Sequence, residues 1–165
     1  MALRMEMCRL YCFVLLWLVC SMGTGANGQN RIVVSKREMR LCVLSPSQDT
    51  LLATPVACGR EYGNKRRIGD GRTPEGTFYV VSVERSSGWM HDFGDGQGLR
   101  AGAYGPLFVR LRVPGFRGIG IHGTCFPGSV GSRCSEGCVR VSNMALLQLT
   151  ALIGRGCCCT ILPDE

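Results

Sequence analysis

With 165 residues and a formal net charge of +7, the chain has room for one domain and a surface that favours anionic partners. Nucleic acid fits poorly, because the sequence has no basic stripe interleaved with aromatic residues. The densest basic run, NKRRIGDGR, lies among turn residues and predicts a solvated loop. The charge therefore favours a carboxylate-rich polymer or a membrane surface as the partner.

The N-terminal segment predicts export. Residues 1–9 form a short positive head that carries Arg4 and Arg9, and the apolar run Leu10–Cys20 follows it. This run is too short to cross a bilayer comfortably, since a spanning helix needs about 20 apolar residues. The small, polar stretch SMGTGANGQN comes next, with Ala26 or Gly28 suited to cleavage. We therefore predict a secretory signal peptide over residues 1–28.

The predicted domain occupies residues 29–165 and is expected in the periplasm or elsewhere in the cell envelope. It keeps 17 basic and 11 acidic side chains, for a net charge of +6. Two alternatives would keep it on a membrane: an uncleaved N-terminal anchor, or a lipid on Cys20. Val19 is a poor residue to precede a lipidated cysteine. We expect a monomer.

Cysteine usage leaves two interpretations open. Eight cysteines in an exported domain favour a disulfide framework. Three of them, Cys157–Cys159, are consecutive in an apolar segment, where cross-links are awkward and packing as small apolar residues is the alternative. In a strand, Cys157 and Cys159 would face one side and Cys158 the other. The remaining five are Cys42, Cys58, Cys125, Cys134 and Cys138.

The pattern of the domain is mostly β, predicting a small sandwich or barrel with one packed helix near the C-terminus. The helix covers Asn143–Ile153, with Ser142 as N-cap, Gly154 as its stop and a buried stripe of leucines and Ile153. In Thr77–Glu84, Tyr79, Val81 and Val83 share one face. The predicted strands are Arg31–Val34, Leu41–Leu44, Leu51–Cys58, Thr77–Glu84, Leu107–Val113, Ile119–His122, Cys138–Val141 and Cys158–Leu162.

A long glycine-rich connection, Arg85–Pro106, separates two of the best strands. Loops of this length in a compact domain are usually functional or disordered. Its aromatic residues Trp89, His91 and Tyr104 favour a lid over a substrate. The alternative is that the aromatic side chains pack down onto the sheet. For the lid, Trp89→Ala would weaken substrate use more than folding.

The stretch IHGTCFPGSVGSRCSEGCVR, residues 121–140, permits three interpretations. His122, Cys125, Cys134 and Cys138 are zinc-ligand types, but their spacing lacks the usual C-x2–4-C pairs and an oxidising compartment disfavours thiolate sites. We predict no metal and no cofactor. Cys125 and Cys134 flank a glycine-rich loop that a disulfide would close. The third interpretation is an enzyme with Cys138 as a thiolate nucleophile.

Thiol catalysis needs a base and donors for an oxyanion. Gly137 lets the backbone turn sharply before Cys138 and admits a substrate carbonyl. His122 ends an apolar strand, which is a firmer mount for a base than the loop that carries His91. A turn of 15 residues between His122 and Cys138 can bring two strand ends together.

These residues resemble the YkuD-type L,D-transpeptidases of bacterial cell-wall synthesis, whose signature is a His-Gly pair followed by [S/T]-H-G-C-x-[R/N]. Here IHGT precedes SEGCVR, and upstream VACGREYGNKRRIGDGRTPEGTFYV is similar to the family's strand, loop and TPxGxF/Y segment. The resemblance covers most of residues 31–162. It implies that Cys138 is the nucleophile and His122 its base.

The same resemblance implies roles for the flanking residues. Gly123 would help to orient the base, Ser135 and Gly137 would shape the nucleophile turn, and Arg140 would face the substrate or its oxyanion. Glu136 departs from the family, which has a histidine there. Its carboxylate would raise the pKa of Cys138, or would instead hold Arg140 or protonated His122.

The implied reaction is acyl transfer on peptidoglycan stem peptides. Cys138 would attack a tetrapeptide stem, and the side-chain amine of a second stem would accept the acyl group to give a 3→3 cross-link. Carbapenems would acylate Cys138. Three alternatives stay open: an L,D-carboxypeptidase with water as acceptor, a non-catalytic wall-binding module, and a disulfide scaffold.

Overall fold

A computed structural model describes residues 28–165. In that part of the chain it contains twelve strands, one 3-10 turn and one α helix. The strands are β1 Arg31–Ser35, β2 Arg40–Leu44, β3 Thr50–Pro55, β4 Cys58–Gly59, β5 Gly76–Arg85, β6 Met90–Asp92, β7 Leu99–Ala101, β8 Leu107–Arg112, β9 Gly120–His122, β10 Arg133–Ser135, β11 Val139–Arg140 and β12 Cys158–Leu162; the 3-10 turn is Pro127–Ser129 and the helix α1 is Asn143–Leu152.

Eight of these strands form one curled sheet, in the order β11-β9-β8-β5-β12-β1-β2-β3. Most neighbours are antiparallel, while β1 pairs with β12 and β9 pairs with β11 in parallel. The parallel pair β9–β11 forms one edge of the sheet, so residues at the ends of these two strands lie side by side. The prediction of a mostly β fold with one packed helix near the C-terminus is confirmed.

The core follows the alternation of the strands. On β1, Ile32 and Val34 are fully buried while their neighbours are half-exposed, as expected for one face packed inward. Helix α1 covers this core with Leu146 and Leu149, both fully buried. Its N-cap is Ser142, as predicted: the hydroxyl accepts a hydrogen bond from the amide of Ala145 at 3.1 Å.

The helix ends at Leu152, one residue earlier than predicted, and Ile153 is already extended. Both side chains are half-buried and pack against the core. Gly154 does not have a positive φ, so the helix ends without a left-handed glycine cap.

The prediction of a single strand over Leu51–Cys58 is wrong in one respect, because the strand ends at Pro55 and a second strand begins at Cys58. Strand β3 pairs with β2, whereas β4 pairs in parallel with β10 in a separate two-stranded sheet. Between them, the amide of Ala57 donates to the carbonyl of Arg140 at 2.8 Å. The break therefore carries the chain from the main sheet to the loop that precedes β11.

Strand β5 buries Phe78 and Val80, while Tyr79 and Val83 are 55% and 40% exposed. A register shift lies between Val80 and Ser82, which interrupts the regular alternation. The face that Tyr79, Val81 and Val83 were predicted to share is therefore largely the solvent face.

No disulfide joins any two of the eight cysteines within residues 28–165. Cys157 and Cys159 are buried and Cys158 is half-buried, the alternation predicted for a strand. No helix within residues 28–165 is long and apolar enough to cross a bilayer. The predicted signal, Cys20 included and Gly28 excepted, lies outside the described residues.

Candidate active site

A tight turn presents Cys138 immediately before β11. The Ser135 hydroxyl donates to the carbonyl of Cys138 at 2.5 Å and accepts from the amide of Gly137 at 3.2 Å. Gly137 has φ = 136°, and a Cβ there would lie 2.8 Å from the carbonyl oxygen of Arg72. Only glycine fits both the backbone conformation and the close approach. The local sequence SEGC thus fixes where the thiol stands.

His122 ends β9, the parallel neighbour of β11, and lies opposite Arg140 in the register. Its side chain is buried, and its Nδ1 lies 2.6 Å from the carbonyl oxygen of Gly123. A carbonyl only accepts, so Nδ1 carries the proton and Nε2 is the basic nitrogen. Gly123 thus orients the imidazole through its backbone, and its missing side chain leaves room for Asn143, whose Oδ1 would be 2.1 Å from a Cβ.

Aromatic rings hold the imidazole from two sides. The ring of Phe108 stacks on it with centroids 5.6 Å apart and planes 9° apart. The ring of Tyr104 meets it edge-on at 5.0 Å. Because both neighbours are rigid and apolar, the imidazole has little freedom to rotate.

The thiol of Cys138 and the imidazole of His122 are both uncharged at rest. Burial lowers the pKa of His122 to about 4, and the positive charge of Arg140 acts in the same direction. Burial raises the pKa of Cys138, although the charges of Arg140, Lys65 and Arg110 oppose it. The thiol donates to the carbonyl of Gly118 at 3.3 Å. A neutral thiol and a neutral imidazole with Nε2 free therefore line the same pocket.

Arg140 brings a buried positive charge to this pocket. It is 7% exposed, and its guanidinium lies 5.4 Å from the centroid of the Phe93 ring. Nη1 lies 3.8 Å from the sulfur of Cys134, while the buried Nε has no hydrogen-bond partner among the described residues. A buried donor without a partner is costly, by about 1–3 kcal/mol. The guanidinium of Arg140 thus keeps one donor that the described part of the chain leaves unsatisfied.

The predicted lid residues separate into two groups. The connection is ordered around the hairpin β6–β7, and His91, on β6, lines the Cys138 pocket together with Tyr104. Trp89 does not line this pocket. Its ring packs instead on Phe108 at 5.5 Å and on Tyr104 at 5.7 Å. Trp89 therefore packs against the ring that stacks on His122.

Glu136 contacts neither of the partners that its position predicted. Its Oε2 lies 3.4 Å from Nε2 of His91, whereas Arg140 and His122 form no ion pair with it. His91 in turn shares a hydrogen bond through Nδ1 with the Tyr104 hydroxyl at 3.1 Å. The carboxylate thus joins the nucleophile turn to the hairpin. His91, the second histidine of the chain, contacts Glu136, the residue that replaces the family's usual histidine.

A buried ion pair within the basic run NKRRIGDGR contradicts the prediction that the whole run is a solvated loop. Lys65 Nζ lies 2.8 Å from Asp70 Oδ1, and the two side chains are 5% and 4% exposed. Nζ is also 3.3 Å from the Cβ position of Gly137. The signal in the sequence was the Asp-Gly pair that follows the lysine, because a turn there lets Asp70 fold back onto Lys65. The burial of Lys65 results from its packing against the nucleophile turn at Gly137.

Within residues 28–165, no group of three or more histidine, cysteine and acidic side chains has the geometry to hold a metal ion. His122, Cys125, Cys134 and Cys138, the zinc set considered from the sequence, thus form no such group. Cys134 instead donates to the carbonyl of Ser129 at 3.6 Å, and Cys125 is exposed.

A thiol and a neutral imidazole at paired strand ends of a curled β sheet are the groups that thiol-dependent acyl transfer requires. Comparison with known proteins supports the same class. Residues 29–161 match the model of the YkuD family, the L,D-transpeptidase catalytic domain. The chain belongs to this family.

Among curated relatives, the chain is 30% identical over 90 residues to the Bacillus subtilis protein YkuD. That match covers 54% of the chain and 45% of the relative, so the chain spans about half the length of the curated proteins that it matches.

Solved structures show the same fold. The catalytic domain of the E. faecium L,D-transpeptidase superimposes with a TM-score of 0.59 at 18% identity, covering 84% of this chain and all of that one. L,D-transpeptidase 3 from Mycobacterium tuberculosis, solved with a faropenem-derived adduct, gives a TM-score of 0.60 at 17% identity, covering 81% of this chain and 60% of that one.

Proposed function

We propose that this protein is a peptidoglycan L,D-transpeptidase in which Cys138 is the nucleophile and His122 its base. The observation that carries the proposal is the anchoring of His122 Nδ1 on the carbonyl of Gly123, which leaves Nε2 as the proton acceptor in the pocket that Cys138 lines. Membership of the L,D-transpeptidase family supports the reaction class.

The proposed first half-reaction is acylation. His122 Nε2 takes the proton of Cys138, and the sulfur attacks the carbonyl carbon of the L,D peptide bond in a tetrapeptide stem. The C–N bond breaks, and the proton passes from His122 to the amine of the leaving D-alanine. A thioester remains on Cys138. Backbone amides of the nucleophile turn and Arg140 stabilise the oxyanion; one such donor contributes about 10²–10³ in rate.

In the second half-reaction a side-chain amine of another stem attacks the thioester carbon. The C–S bond breaks, and His122 carries a proton from the attacking nitrogen to the sulfur, which restores the thiol and leaves a 3→3 cross-link. With water as the nucleophile the same steps give an L,D-carboxypeptidase. The identity of the acceptor thus separates the two activities.

Charge supports this substrate class. Stem peptides carry carboxylates, and Arg140 offers a buried donor, Nε, that has no protein partner within the described residues. Arg117 adds positive charge to the same pocket. We further propose that residues 1–28 direct export, so that the domain meets peptidoglycan in the cell envelope. The mass of the mature secreted protein tests this cleavage.

Incubation with a carbapenem, followed by intact-mass analysis, tests the nucleophile. We expect one stoichiometric adduct, its loss in Cys138→Ala, and slower formation in His122→Gln. The adduct in the faropenem-bound relative supports the choice of a β-lactam as probe. Cys125→Ala is the matched control, because Cys125 is an exposed thiol outside the pocket. An adduct that survives in Cys138→Ala would refute the assignment.

Muropeptide analysis by mass spectrometry then identifies the acceptor. Cross-linked dimers after incubation with tetrapeptide stems indicate transpeptidation, and tripeptides alone indicate a carboxypeptidase. Turnover of neither kind, with a thiol that reacts no faster than Cys125, would favour the wall-binding module.

A further inference from the structure

The charges that line the candidate pocket are unevenly divided. Lys65, Arg117 and Arg140 are basic, and Glu136 is the one carboxylate among the lining residues in the described region. Lys65 is already paired with Asp70. The pocket therefore offers several sites for anions and a single site for a cation.

Glu136 lines the same pocket as Cys138. It lies two residues before Cys138 on the nucleophile turn, and its side chain is 48% exposed at the pocket. Only Oε2 is engaged, by His91; Oε1 has no hydrogen-bond or ion-pair partner within residues 28–165. A carboxylate with one open oxygen beside a thioester can bind a cationic group that must reach the same carbon atom.

The hairpin β6–β7 aims this carboxylate. His91 is fixed by its hydrogen bond to Tyr104 and by an edge-on contact with Phe93, whose ring lies 4.7 Å away. Phe93 itself packs on Phe126 at 5.3 Å. Because His91 is held from two sides, its contact with Oε2 at 3.4 Å restricts the rotamers of Glu136.

We infer that Glu136, oriented by His91, binds the ammonium group of the acceptor and so selects a primary amine over water. This assignment rests on the proposed function and deepens it, because it names the residue that recognises the amine of the second substrate. The bound ammonium loses one proton to solvent to become the nucleophile. Its second proton passes through His122 to the sulfur as the C–S bond breaks.

Two probes test the assignment without turnover: a tripeptide stem that ends in a diamino acid, and the same stem with its side-chain amine acetylated. Each is titrated by calorimetry into the full protein carrying Cys138→Ala, which forms no acyl-enzyme. We expect the free amine to bind about tenfold more tightly than its acetylated form, as for one partly exposed charge-assisted contact. Adding Glu136→Gln should bring this ratio close to one.

Two matched variants complete the test. Glu136→Asp keeps the charge and should keep most of the ratio. Asp95→Asn removes a carboxylate of the same hairpin that pairs with Arg100 at 2.8 Å and does not line the pocket, so it should leave the ratio unchanged. A ratio near one with Glu136 present, or a tenfold ratio that survives Glu136→Gln, would overturn the assignment.

The binding test of Glu136 can fail independently of the proposed function. The proposed function is tested by carbapenem acylation of Cys138, which is measured in the absence of any acceptor. A protein that is acylated yet shows no preference for the amine refutes the role of Glu136 alone. A protein that prefers the amine but is never acylated refutes the proposed reaction and retains the binding site.

Discussion

The imidazole of His122 lies flat on the ring of Phe108, with 9° between the planes and 5.6 Å between the centroids. Phe108 is 2% exposed and packs against the ring of Trp89. The stack links the core of the sheet to the orientation of the candidate base. A change in Phe108 should therefore affect the reaction more than an equal loss of packing elsewhere.

We predict that Phe108→Leu slows acylation of Cys138 by about 10- to 100-fold, because a misplaced base loses the attack geometry. The free energy of unfolding should fall by only about 1–2 kcal/mol. Phe78→Leu is the control: Phe78 is a buried phenylalanine on β5, opposite Cys159. Intact-mass kinetics and urea unfolding measure the two effects. Equal rate losses in both variants would contradict a role for the stack.

The depressed pKa of His122 predicts how stability depends on pH. Burial lowers this pKa to about 4 in the folded state, below the ordinary value of 6.5. As the pH falls through 6.5, the unfolded chain takes up a proton that the folded protein refuses, so stability is present above pH 6.5 and is lost on acidification. The depressed pKa values of Asp70, Glu84 and Asp164 act only at lower pH.

We therefore expect the free energy of unfolding to fall by about 2 kcal/mol between pH 6.5 and 4.5, with His122 as the main source. His122→Gln should flatten the curve in this window and leave the loss below pH 4 in place. Denaturant titrations at half-unit pH steps measure both curves. Parallel curves would show that His122 has an ordinary pKa in the folded protein.

The sequence predicted most of what local alternation controls. Strands β1, β2, β8 and β12, the helix with its Ser142 cap, and the placement of Cys138 and His122 at neighbouring strand ends were all accessible from spacing and resemblance. The break after Pro55 was not, because it depends on β10, a partner about 75 positions away in the chain.

Contacts between distant segments account for the rest. The burial of Lys65 depends on the turn at Gly137, and the partner of Glu136 lies 45 positions earlier, on a hairpin within the glycine-rich connection. A single sequence does not show which distant side chains meet. From charge alone, a solvated loop was a reasonable prediction for NKRRIGDGR, and an ion pair with Arg140 or His122 was a reasonable prediction for Glu136.

The buried pair Lys65–Asp70 should stabilise the region behind the nucleophile turn. Burial of the Asp70 carboxyl raises its pKa. Hydrogen bonds from the Lys65 side chain and from the backbone amides of Arg66, Arg67 and Arg72 outweigh this effect and hold the pKa well below its usual range. Lys65→Met leaves that carboxylate buried without its partner. We expect a loss of about 3 kcal/mol in the free energy of unfolding.

A double-mutant cycle with Asp70→Asn measures the coupling, which we expect to be about 2 kcal/mol. The control is Arg100→Met, which breaks the pair with Asp95 on the exposed hairpin, where the side chains are 31% and 43% exposed. That change should cost no more than about 1 kcal/mol. A coupling below this surface value would mean that Lys65 and Asp70 are not paired in solution.

Gly137→Ala tests whether the nucleophile turn needs glycine. A Cβ would lie 2.8 Å from the carbonyl oxygen of Arg72, in a backbone of φ = 136° that other residues rarely adopt. Gly131→Ala is the matched control, because Gly131 has φ = 97° with no atom within 4 Å of a Cβ.

Strain alone should cost Gly131→Ala about 1 kcal/mol and leave acylation intact. Gly137→Ala adds a backbone clash, so we expect a loss of about 2–3 kcal/mol and a fall in acylation rate of at least about 100-fold, since the thiol and its neighbouring amides must shift together. Thermal unfolding and intact-mass kinetics measure the pair. Similar losses in the two variants would show that the approach of Gly137 to Arg72 does not fix the position of Cys138.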